Sequence, residues 1–411
     1  MRSPYGHGLN ATDTNARNGM REKSRARVSP RGAARWRRGH PWIYRSDVID
    51  PPRSGPGVVP VQTADGTPLG MALWSPASTI ALRMLTSEER EIGPDFWAER
   101  VDAALAYRAS RGLAAEGEDA AWRVIHGEAD GLPSLVVDRY GDFLVVQLLS
   151  AGLEARRAEI IDVLVQRLSP RGVLARNDAP VRRHEGLPRR IEVLYGDVPD
   201  DIVVREADVA YVAALTTGQK TGAFLDQREN RIRAGELARG RALDCFAYHG
   251  SFALHLARAA EHVVAVDSSE AALARAAQNA RLNGLENIEL REANVFDFLR
   301  AEESAGARYD IIVLDPPAFA KRRDAIERAL RGYKEINLRA MRLLAPGGHL
   351  CTFSCSYHVG PDLFREMLEA AAADAGRPLR WVEWRGQAAD HPAVLQIPET
   401  AYLKGAIVQA M

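Results

Sequence analysis

Two short segments near the end of the chain carry residue types that can make and break covalent bonds. Cys355 lies between two serines, and a cysteine thiolate is a strong nucleophile. Asp315 opens the run Asp315-Pro316-Pro317-Ala318-Phe319. Because two prolines fix φ and remove backbone donors, they hold Asp315 at a rigid strand end, which suits hydrogen bonding to a planar base. We therefore predict Cys355 as a nucleophile and Asp315 as its partner in catalysis.

These two segments follow the last two strands of an alternating pattern that begins at Arg241. Short apolar runs alternate with helical segments, which is typical of a parallel sheet with crossover helices, an α/β Rossmann-like fold. Such a sheet binds ligands beyond the carboxyl ends of its strands, so both segments should face one site. The predicted strands are 242–246, 263–267, 288–292, 311–314 and 349–353, and the predicted helices are 251–259, 270–283 and 333–344.

The loop after the first strand indicates the class of cofactor. It runs from Asp244 through Phe246 to Gly250, where the next helix begins. A dinucleotide fingerprint needs three glycines around a pyrophosphate, whereas this loop has one, so NAD and FAD are disfavoured. The loop is similar to the amino-acid end of an S-adenosylmethionine site, and an ordinary strand-to-helix turn is the alternative.

The next two strand ends carry polar groups that suit a nucleoside. The second strand ends in Asp267, followed by Ser268, and a carboxylate there can accept both hydroxyls of a ribose. After the third strand, Asn294 or Asp297 could face the adenine amino group. Each acid could instead cap a helix, and for Asp297 this alternative is as strong as the binding role. Three successive strand ends with suitable groups favour the cofactor site.

The remaining cysteines and the charge pattern limit the other function classes. Cys245 and Cys351 are predicted to be small core residues, and three cysteines without a histidine cluster predict neither a metal site nor a disulfide framework. Lysine plus arginine equal aspartate plus glutamate at 54 each, so net charge does not identify a partner. Residues 21–45, however, form a basic patch, which is either a solvated face or a nucleic-acid contact. Without a membrane-spanning or signal segment, we expect a cytoplasmic protein that does not bind membranes.

The region before the parallel sheet has a different residue pattern. From Val28 to Leu85, short β runs separated by Gly, Pro and Asp predict a small, mostly-β barrel, with a hairpin turn at Asp65-Gly66. A helix is predicted from Pro94 to Arg111. An α+β unit follows, with strands at 122–125, 135–138, 143–149 and 173–176, a helix at 153–168, a strand at 191–194, and a hairpin of 202–206 with 209–215.

Several motifs together resemble the bacterial large-subunit (23S) ribosomal RNA cytosine-5 methyltransferases. The most specific is Thr217–Arg228, which reads TGQKTGAFLDQR, and the Asp315–Phe319 and Ser354–Ser356 motifs agree with it. The resemblance covers nearly everything after residue 25. Upstream it includes His126–Pro133, Arg183–Leu187 and Arg38–Tyr44.

The resemblance implies a fold of several domains. They are a disordered tail at 1–24, a PUA-like RNA-binding β-barrel at 25–92, a central α+β domain at 93–212 and a methyltransferase domain at 213–411. It also implies S-adenosylmethionine as cofactor and RNA, specifically 23S rRNA, as partner; a homodimer is considered as well. The residues it places at the cofactor are Phe224, Gln227 and Arg228 at the pocket border, Asp244, Phe246 and Gly250 around the methionine end, Asp267 and Ser268 at the ribose, Asn294 and Asp297 at the adenine edge, and Asp315.

The implied reaction forms 5-methylcytosine through a covalent adduct between Cys355 and cytosine C6. Related RNA cytosine-5 enzymes carry a second cysteine in the motif that begins at the fourth strand, and Pro316-Pro317-Ala318 has none here. Product release must therefore be assisted by a different group. Two alternatives stay open: methylation of an exocyclic amine of adenine or guanine, which needs no cysteine, and a non-catalytic RNA-binding or assembly factor that keeps the methyltransferase fold.

Overall fold

We describe the protein from a computed structural model that covers residues 25–113, 119–320 and 323–411. The predicted disordered tail at 1–24 lies outside these residues. The chain divides into two compact units. Unit 1 comprises the described part of Met1–Ala106 together with Ile125–Val137 and Val146–Gly196, and unit 2 comprises the described parts of Tyr107–Val124, Asp138–Val145 and Asp197–Met411.

The N-terminal part of unit 1 is a six-stranded sheet in the order β2-β6-β5-β4-β1-β3. The predicted hairpin at Asp65-Gly66 is confirmed, since β4 and β5 pair antiparallel around it and Gly66 has a φ of +90°. A helix, α1, was not predicted; Ser29 caps it by accepting a hydrogen bond from the amide of Gly32, and Pro30 begins it. The elements are β1 Ala26–Val28, α1 Pro30–Arg37, β2 Trp42–Tyr44, β3 Val48–Asp50, β4 Gly57–Thr63, β5 Pro68–Trp74 and β6 Ile80–Thr86.

Part of the predicted basic patch is used for structure. Arg31 donates to the buried carboxylate of Asp47 at 2.7 Å, and Arg35 lies 3.6 Å from the same group. Arg45 donates to backbone carbonyls of the β5–β6 connection. In contrast, three arginines of the patch are exposed and form no ion pair within the described residues, namely Arg27, Arg37 and Arg38.

The middle of the chain holds a five-stranded sheet, in the order β11-β10-β9-β8-β7, and a β12–β13 hairpin. The predicted strands and the helix from Pro94 are confirmed. The predicted helix 153–168 is wrong in one respect, because two helices that break at Ala155–Arg156 replace it. The elements are α2 Pro94–Ser110, β7 Ala121–His126, β8 Leu135–Tyr140, β9 Phe143–Leu148, α3 Ala151–Glu154, α4 Arg157–Leu168, β10 Gly172–Asn177, β11 Arg190–Gly196, β12 Asp201–Glu206 and β13 Val209–Ala214.

The last part of unit 2 is a seven-stranded sheet in the order β16-β15-β14-β17-β18-β20-β19. Strands β14 to β18 pair in parallel, as predicted, whereas β20 runs antiparallel to both of its neighbours. The elements are α5 Arg228–Leu237, β14 Arg241–Cys245, α6 Ser251–Ala257, β15 His262–Asp267, α7 Glu270–Leu282, β16 Ile288–Glu292, α8 Val295–Ser304, β17 Tyr309–Leu314, α9 Ile326–Leu343, β18 Leu344–Ser354, α10 Pro361–Ala375, β19 Leu379–Gly386 and β20 Lys404–Ala410.

Alternation along these strands fills two cores, one on each face of the sheet. Leu243 and Cys245 of β14 pack into one core, and Ala242 packs into the other. Cys351 and Phe353 of β18 belong to the second core, and Cys355 packs against its edge. The prediction that Cys245 and Cys351 are core residues is therefore confirmed, and Cys355 lies on the same side of the sheet as Cys351.

A buried ion pair holds the β12–β13 hairpin to the helices of the parallel sheet. The carboxylate of Glu206 accepts hydrogen bonds from Arg231 at 2.6 Å and from the ring of His255 at 3.0 Å. Burial alone would raise the pKa of Glu206, but Arg231 and His255 favour the carboxylate and lower it to about 2. The pair therefore supports folding above the unfolded pKa and its contribution is lost only as the pH falls toward 2.

The strand order fixes where a ligand can bind. Because β14 lies between β15 and β17, the chain leaves its carboxyl end in one direction for β15 and later returns on the other side to form β17. This change of direction opens a crevice beyond the carboxyl ends of β14 and β17. Within the described residues, no helix has both the length and the apolar character needed to cross a lipid bilayer.

Candidate active site

The loop after β14 is a tight turn built from three residues with positive φ, namely Phe246 at +65°, Tyr248 at +49° and Gly250 at +83°. Gly250 needs its small size as well, because a Cβ there would lie 3.0 Å from the Cβ of Ala276. The amide of Gly250 donates to the carbonyl of Ala247 at 2.8 Å. The chain thus turns sharply from β14 into α6 at the mouth of the crevice.

Asp244, on β14 just before this loop, carries a buried carboxyl group that is only half satisfied. Its Oδ2 accepts a hydrogen bond from the amide of Ala253 at 2.9 Å, while its Oδ1 has no hydrogen-bond partner among the described residues. Burial raises the pKa of Asp244 well above its usual value, and the carboxylates of Asp315 and Asp267 raise it further. A free oxygen of this kind suits a cationic ligand.

Asp267 ends β15 and is partly fixed by the backbone. Its Oδ2 accepts from the amide of Tyr248 at 2.8 Å, and its Oδ1 accepts from the amide of Ser269 at 3.0 Å. Each carboxylate oxygen has a second lone pair, so two hydroxyl donors could still bind. Ser268 is exposed beside it. The carboxylate is thus oriented and retains capacity for a ribose.

Asn294 and Asp297 lie beyond β16, both on the exposed surface. Asn294 caps α8 by accepting from the amide of Phe296 at 2.9 Å, and Asp297 pairs with Arg300 at 2.9 Å within the first turns. The capping role considered for Asp297 is therefore wrong and belongs to Asn294. In the described part of the chain, neither side chain forms a hydrogen bond or ion pair with another predicted site residue.

Asp315 lies beyond the end of β17 and meets the segment before α5. Gln227 donates to its Oδ1 at 2.8 Å, and Asn230 in turn donates to the amide oxygen of Gln227 at 2.6 Å. Burial raises the pKa of Asp315 to about 7, and the carboxylate of Asp226 adds to the increase. Near neutral pH, Asp315 is therefore close to half protonated and can donate a hydrogen bond as a carboxylic acid.

Cys355 follows β18, next to β17 in the sheet. Burial raises the pKa of its thiol to about 11, and the Asp315 carboxylate is the next contributor. The thiol and the carboxyl group are therefore close enough to interact electrostatically. Ser356 joins the loop after β18 to the loop after β17, because its hydroxyl accepts a hydrogen bond from the amide of Ala320 at 3.2 Å. The same hydroxyl bonds to the Tyr333 hydroxyl at 2.9 Å.

The segment Thr217–Arg228 lies beside Asp315 and the loop after β14. The ring of Phe224 meets that of Tyr248 edge-on at 5.5 Å between centroids, and the ammonium of Lys220 lies 4.5 Å from the centroid of the same Phe224 ring. Phe224 thus adjoins the loop after β14. Arg228 is buried and engaged elsewhere, with Glu229 at 3.1 Å and Asp390 at 3.8 Å. The structure therefore brings Phe224 and Gln227 toward the predicted site and holds the guanidinium of Arg228 between two acids.

Three charged residues of this site had no role in the predictions from sequence. Lys220 and Asp226 form an ion pair of 2.7 Å, and the Asp226 carboxylate also accepts from Tyr402 at 2.6 Å. Both lie in the motif Thr217–Arg228, whose specificity was a usable signal. Lys404 lies at the start of β20, and nothing in its sequence context marks it. Within the described ranges, His, Cys, Asp and Glu form no cluster of three that could hold a metal.

Comparison with known proteins agrees with this geometry. A family model described as S-adenosylmethionine-dependent methyltransferase matches residues 142–407, and one described as PUA-like domain matches 26–87. The chain is 40% identical over 381 residues to a protein of Shewanella amazonensis named ribosomal RNA large subunit methyltransferase I, covering 90% of this chain and 96% of that one. A protein of the same name from Tolumonas auensis is 41% identical over 384 residues, covering 91% and 96%.

Solved structures agree on the fold. A Streptococcus mutans protein assigned to the SAM-dependent methyltransferases superposes with a TM-score of 0.79 at 20% identity, covering 94% of this chain and all of that one. A second structure, of a protein complexed with SAH, gives 0.81 at 20% identity with the same coverage. The expected fold of several domains is confirmed, with a PUA-like domain at the N-terminus and a Rossmann-like sheet at the C-terminus. The chain belongs to the family of S-adenosylmethionine-dependent methyltransferases.

Proposed function

We propose that this enzyme methylates C5 of a cytosine in large-subunit ribosomal RNA, through a covalent adduct of Cys355. One observation carries the proposal: Asp315 and Cys355 directly follow the neighbouring parallel strands β17 and β18, so a carboxyl group and a thiol lie at the same carboxyl edge of the sheet. A nucleophile beside a carboxyl group that is half protonated at neutral pH suits the activation of a pyrimidine ring.

The RNA substrate follows from the relatives and from the surface. Relatives 40% identical over nearly the whole chain are named ribosomal RNA large subunit methyltransferases. The PUA-like domain displays three exposed arginines, Arg27, Arg37 and Arg38, that form no ion pair among the described residues. Free guanidinium groups on one domain suit phosphate contacts. Tyr357, 49% exposed and two residues after Cys355, offers a ring on which an unstacked base could rest.

The proposed chemistry follows from the two side chains. The thiolate of Cys355 adds to C6 of cytosine, and the new bond pushes electron density toward C5. Asp315, in its protonated form, donates a hydrogen bond to the N3 side of the ring and neutralises the charge that develops there. Bound S-adenosylmethionine would supply an electrophilic methyl group, which C5 takes as the bond between that methyl and the sulfonium sulfur breaks. Loss of the C5 proton and departure of the Cys355 sulfur then restore the aromatic ring and the free thiol.

The residues at the strand ends fit the cofactor. The unpartnered Oδ1 of Asp244 suits the ammonium of the methionine part, with Phe246 and Gly250 in the adjoining loop. Asp267 and Ser268 suit the ribose, and Asn294 and Asp297 suit the adenine edge. Phe224 and Gln227 would border the pocket, whereas the guanidinium of Arg228 pairs with Glu229 and Asp390. We propose these roles from the free hydrogen-bonding capacity of Asp244 and Asp267 and from the position of the loops at the switch point.

Replacing Asp244 by asparagine is expected to weaken S-adenosylmethionine binding about 10- to 100-fold, because a charged hydrogen bond contributes roughly 1.5–3 kcal/mol. Burial raises the pKa of Asp244, so the empty site disfavours the ionised form that a cationic ligand would bind. Wild-type affinity should therefore fall as the pH falls, and binding should release a proton. The variant should show neither effect in titration calorimetry with buffers of different ionisation enthalpy.

A suitable control for this titration is Glu270→Gln, at an exposed position in the first turn of α7. Asparagine can still accept the Ala253 amide, so the Asp244→Asn variant should fold. Wild-type affinity and proton release in the Asp244→Asn variant would contradict the proposed role of Asp244. The test leaves the identity of the methylated base open.

RNA that contains 5-fluorocytosine tests the proposed function itself. Fluorine at C5 cannot leave as a proton does, so the methylated adduct should persist and survive denaturing electrophoresis. We expect a covalent complex between wild-type enzyme and a 23S rRNA transcript made with 5-fluorocytidine triphosphate, and none with Cys355→Ser. Cys351→Ala should still form the complex, since Cys351 is a core residue. Methylation without any trapped complex would favour transfer to an exocyclic amine.

A further inference from the structure

Lys404 is buried beneath the turn that carries Cys355. It begins β20 and pairs with Ser354, the last residue of β18, in the antiparallel ladder. Only 5% of the residue is exposed. Its ammonium donates hydrogen bonds to the backbone carbonyl of Ser356 at 2.6 Å and to that of Tyr402 at 3.0 Å. The lysine therefore reaches from the neighbouring strand to the residue that follows Cys355.

The positive charge of Lys404 has no carboxylate partner. In the described ranges, both of its hydrogen bonds go to backbone carbonyls, and no acidic group lies within ion-pair distance. Burying an ammonium without a counter-charge is costly. Burial accordingly lowers the pKa of Lys404 to about 8, and the Cys355 thiolate is the group that raises it. A positive charge hydrogen-bonded to the residue that follows Cys355 favours the thiolate over the neutral thiol.

The other charged groups around Cys355 do not provide an unshared positive charge that could stabilise its thiolate. Asp315, at the end of β17, and Asp226, before α5, both raise the pKa of the thiol. Lys220 lowers it, but its ammonium is 2.7 Å from Asp226 and its side chain is 39% exposed, so its effect is shared and screened. On the side of α9, Tyr333 contributes a neutral hydroxyl held by Ser356. Lys404 is the buried cation in this group that lacks a counter-ion.

We propose that Lys404 is the cation that stabilises the Cys355 thiolate, acting as an electrostatic positioning residue from beneath the Ser354–Ser356 turn. The inference rests on the proposed nucleophilic role of Cys355. Below about pH 8, where Lys404 keeps its proton, the thiol gives its proton to water and the sulfur then bonds to C6 of the pyrimidine. When the adduct breaks, the leaving sulfur regains its negative charge beside the same ammonium, which lowers the barrier to release without a second cysteine.

Alkylation of Cys355 by iodoacetamide tests this proposal without methyl transfer. The rate is measured against pH by mass spectrometry of the Cys355 peptide, and the buried Cys245 and Cys351, both 0% exposed, serve as internal references. Lys404→Met should slow alkylation at pH 7 about tenfold, and the difference should shrink above about pH 8, where the wild-type lysine loses its charge. Lys404→Gln, which can still donate to the Ser356 carbonyl, should slow it equally. Lys404→Arg should stay near wild type.

A matched control is Lys334→Met, which removes a lysine that pairs with Asp374 on the surface. An unchanged alkylation rate at pH 7 in folded Lys404→Met or Lys404→Gln would overturn the proposal. Methyl transfer by the Lys404 variants should be about tenfold slower at pH 7.5 and should recover at higher pH. Because alkylation needs neither RNA nor cofactor, a failed 5-fluorocytosine experiment would contradict the proposed function while leaving the thiolate measurement valid.

Discussion

Replacing Cys355 by alanine is expected to reduce methyl transfer to 23S rRNA by about a thousandfold or more, which corresponds to roughly 4 kcal/mol or more of transition-state stabilisation. Cytosine C5 becomes nucleophilic only after a thiolate adds to C6, so the residual site can bind both substrates without activating the ring. The measurement is single-turnover transfer of a labelled methyl group to rRNA that lacks this modification. Binding of S-adenosylmethionine should stay near wild type.

Cys245→Ala provides the matched control for the loss of one sulfur. Cys245 is fully buried in the core on the other face of the sheet, so its replacement should cost stability and leave the rate near wild type. Activity that survives in Cys355→Ala would contradict the cytosine-5 proposal and would favour transfer to an exocyclic amine. Absence of S-adenosylmethionine binding in the wild type would instead favour a non-catalytic assembly factor.

The sequence was sufficient to predict the parallel part of the last sheet because local and long-range signals coincide there. Strands β15 and β17 are short apolar runs, and every strand from β14 to β18 ends near a polar residue and is followed by a helix. This arrangement places polar groups at one edge whatever the precise register. Cys355 and Asp315 were identified for this reason, and their electrostatic coupling agrees with the predicted neighbourhood of β17 and β18.

The antiparallel end of the sheet was not predictable in the same way. Strand β20 inserts between β18 and β19, and its pairing with β18 joins residues about fifty positions apart. A local pattern contains no information on this pairing, so Lys404 could not be placed under Cys355. The N-cap role of Asn294 was missed for a related reason, since α8 itself was not predicted. Lys220 and Asp226 lie in the motif Thr217–Arg228, but that they pair with each other depends on how the chain folds.

Replacing Asp315 by asparagine is expected to slow methyl transfer by about 100- to 1,000-fold, the usual effect of removing a positioned donor at a developing charge. The pKa of Asp315, raised to about 7 mainly by burial, makes the donor form available up to neutral pH. In the wild type, the contribution of this acid should therefore decline as the pH rises through about 7. In Asp315→Asn this decline should disappear from the pH profile of the rate.

The same substitution separates the two roles that a carboxyl group could have beside Cys355. The ionised carboxylate raises the pKa of the thiol, so asparagine should make Cys355 easier to ionise and faster to alkylate at pH 8. A variant with a more reactive thiol, unchanged S-adenosylmethionine binding and a much slower methyl transfer would show that Asp315 acts on the base. Asp362→Asn, at an exposed position in the first turn of α10, should change neither rate. Equal losses of thiol reactivity and methyl transfer in Asp315→Asn would show instead that Asp315 acts through the cysteine.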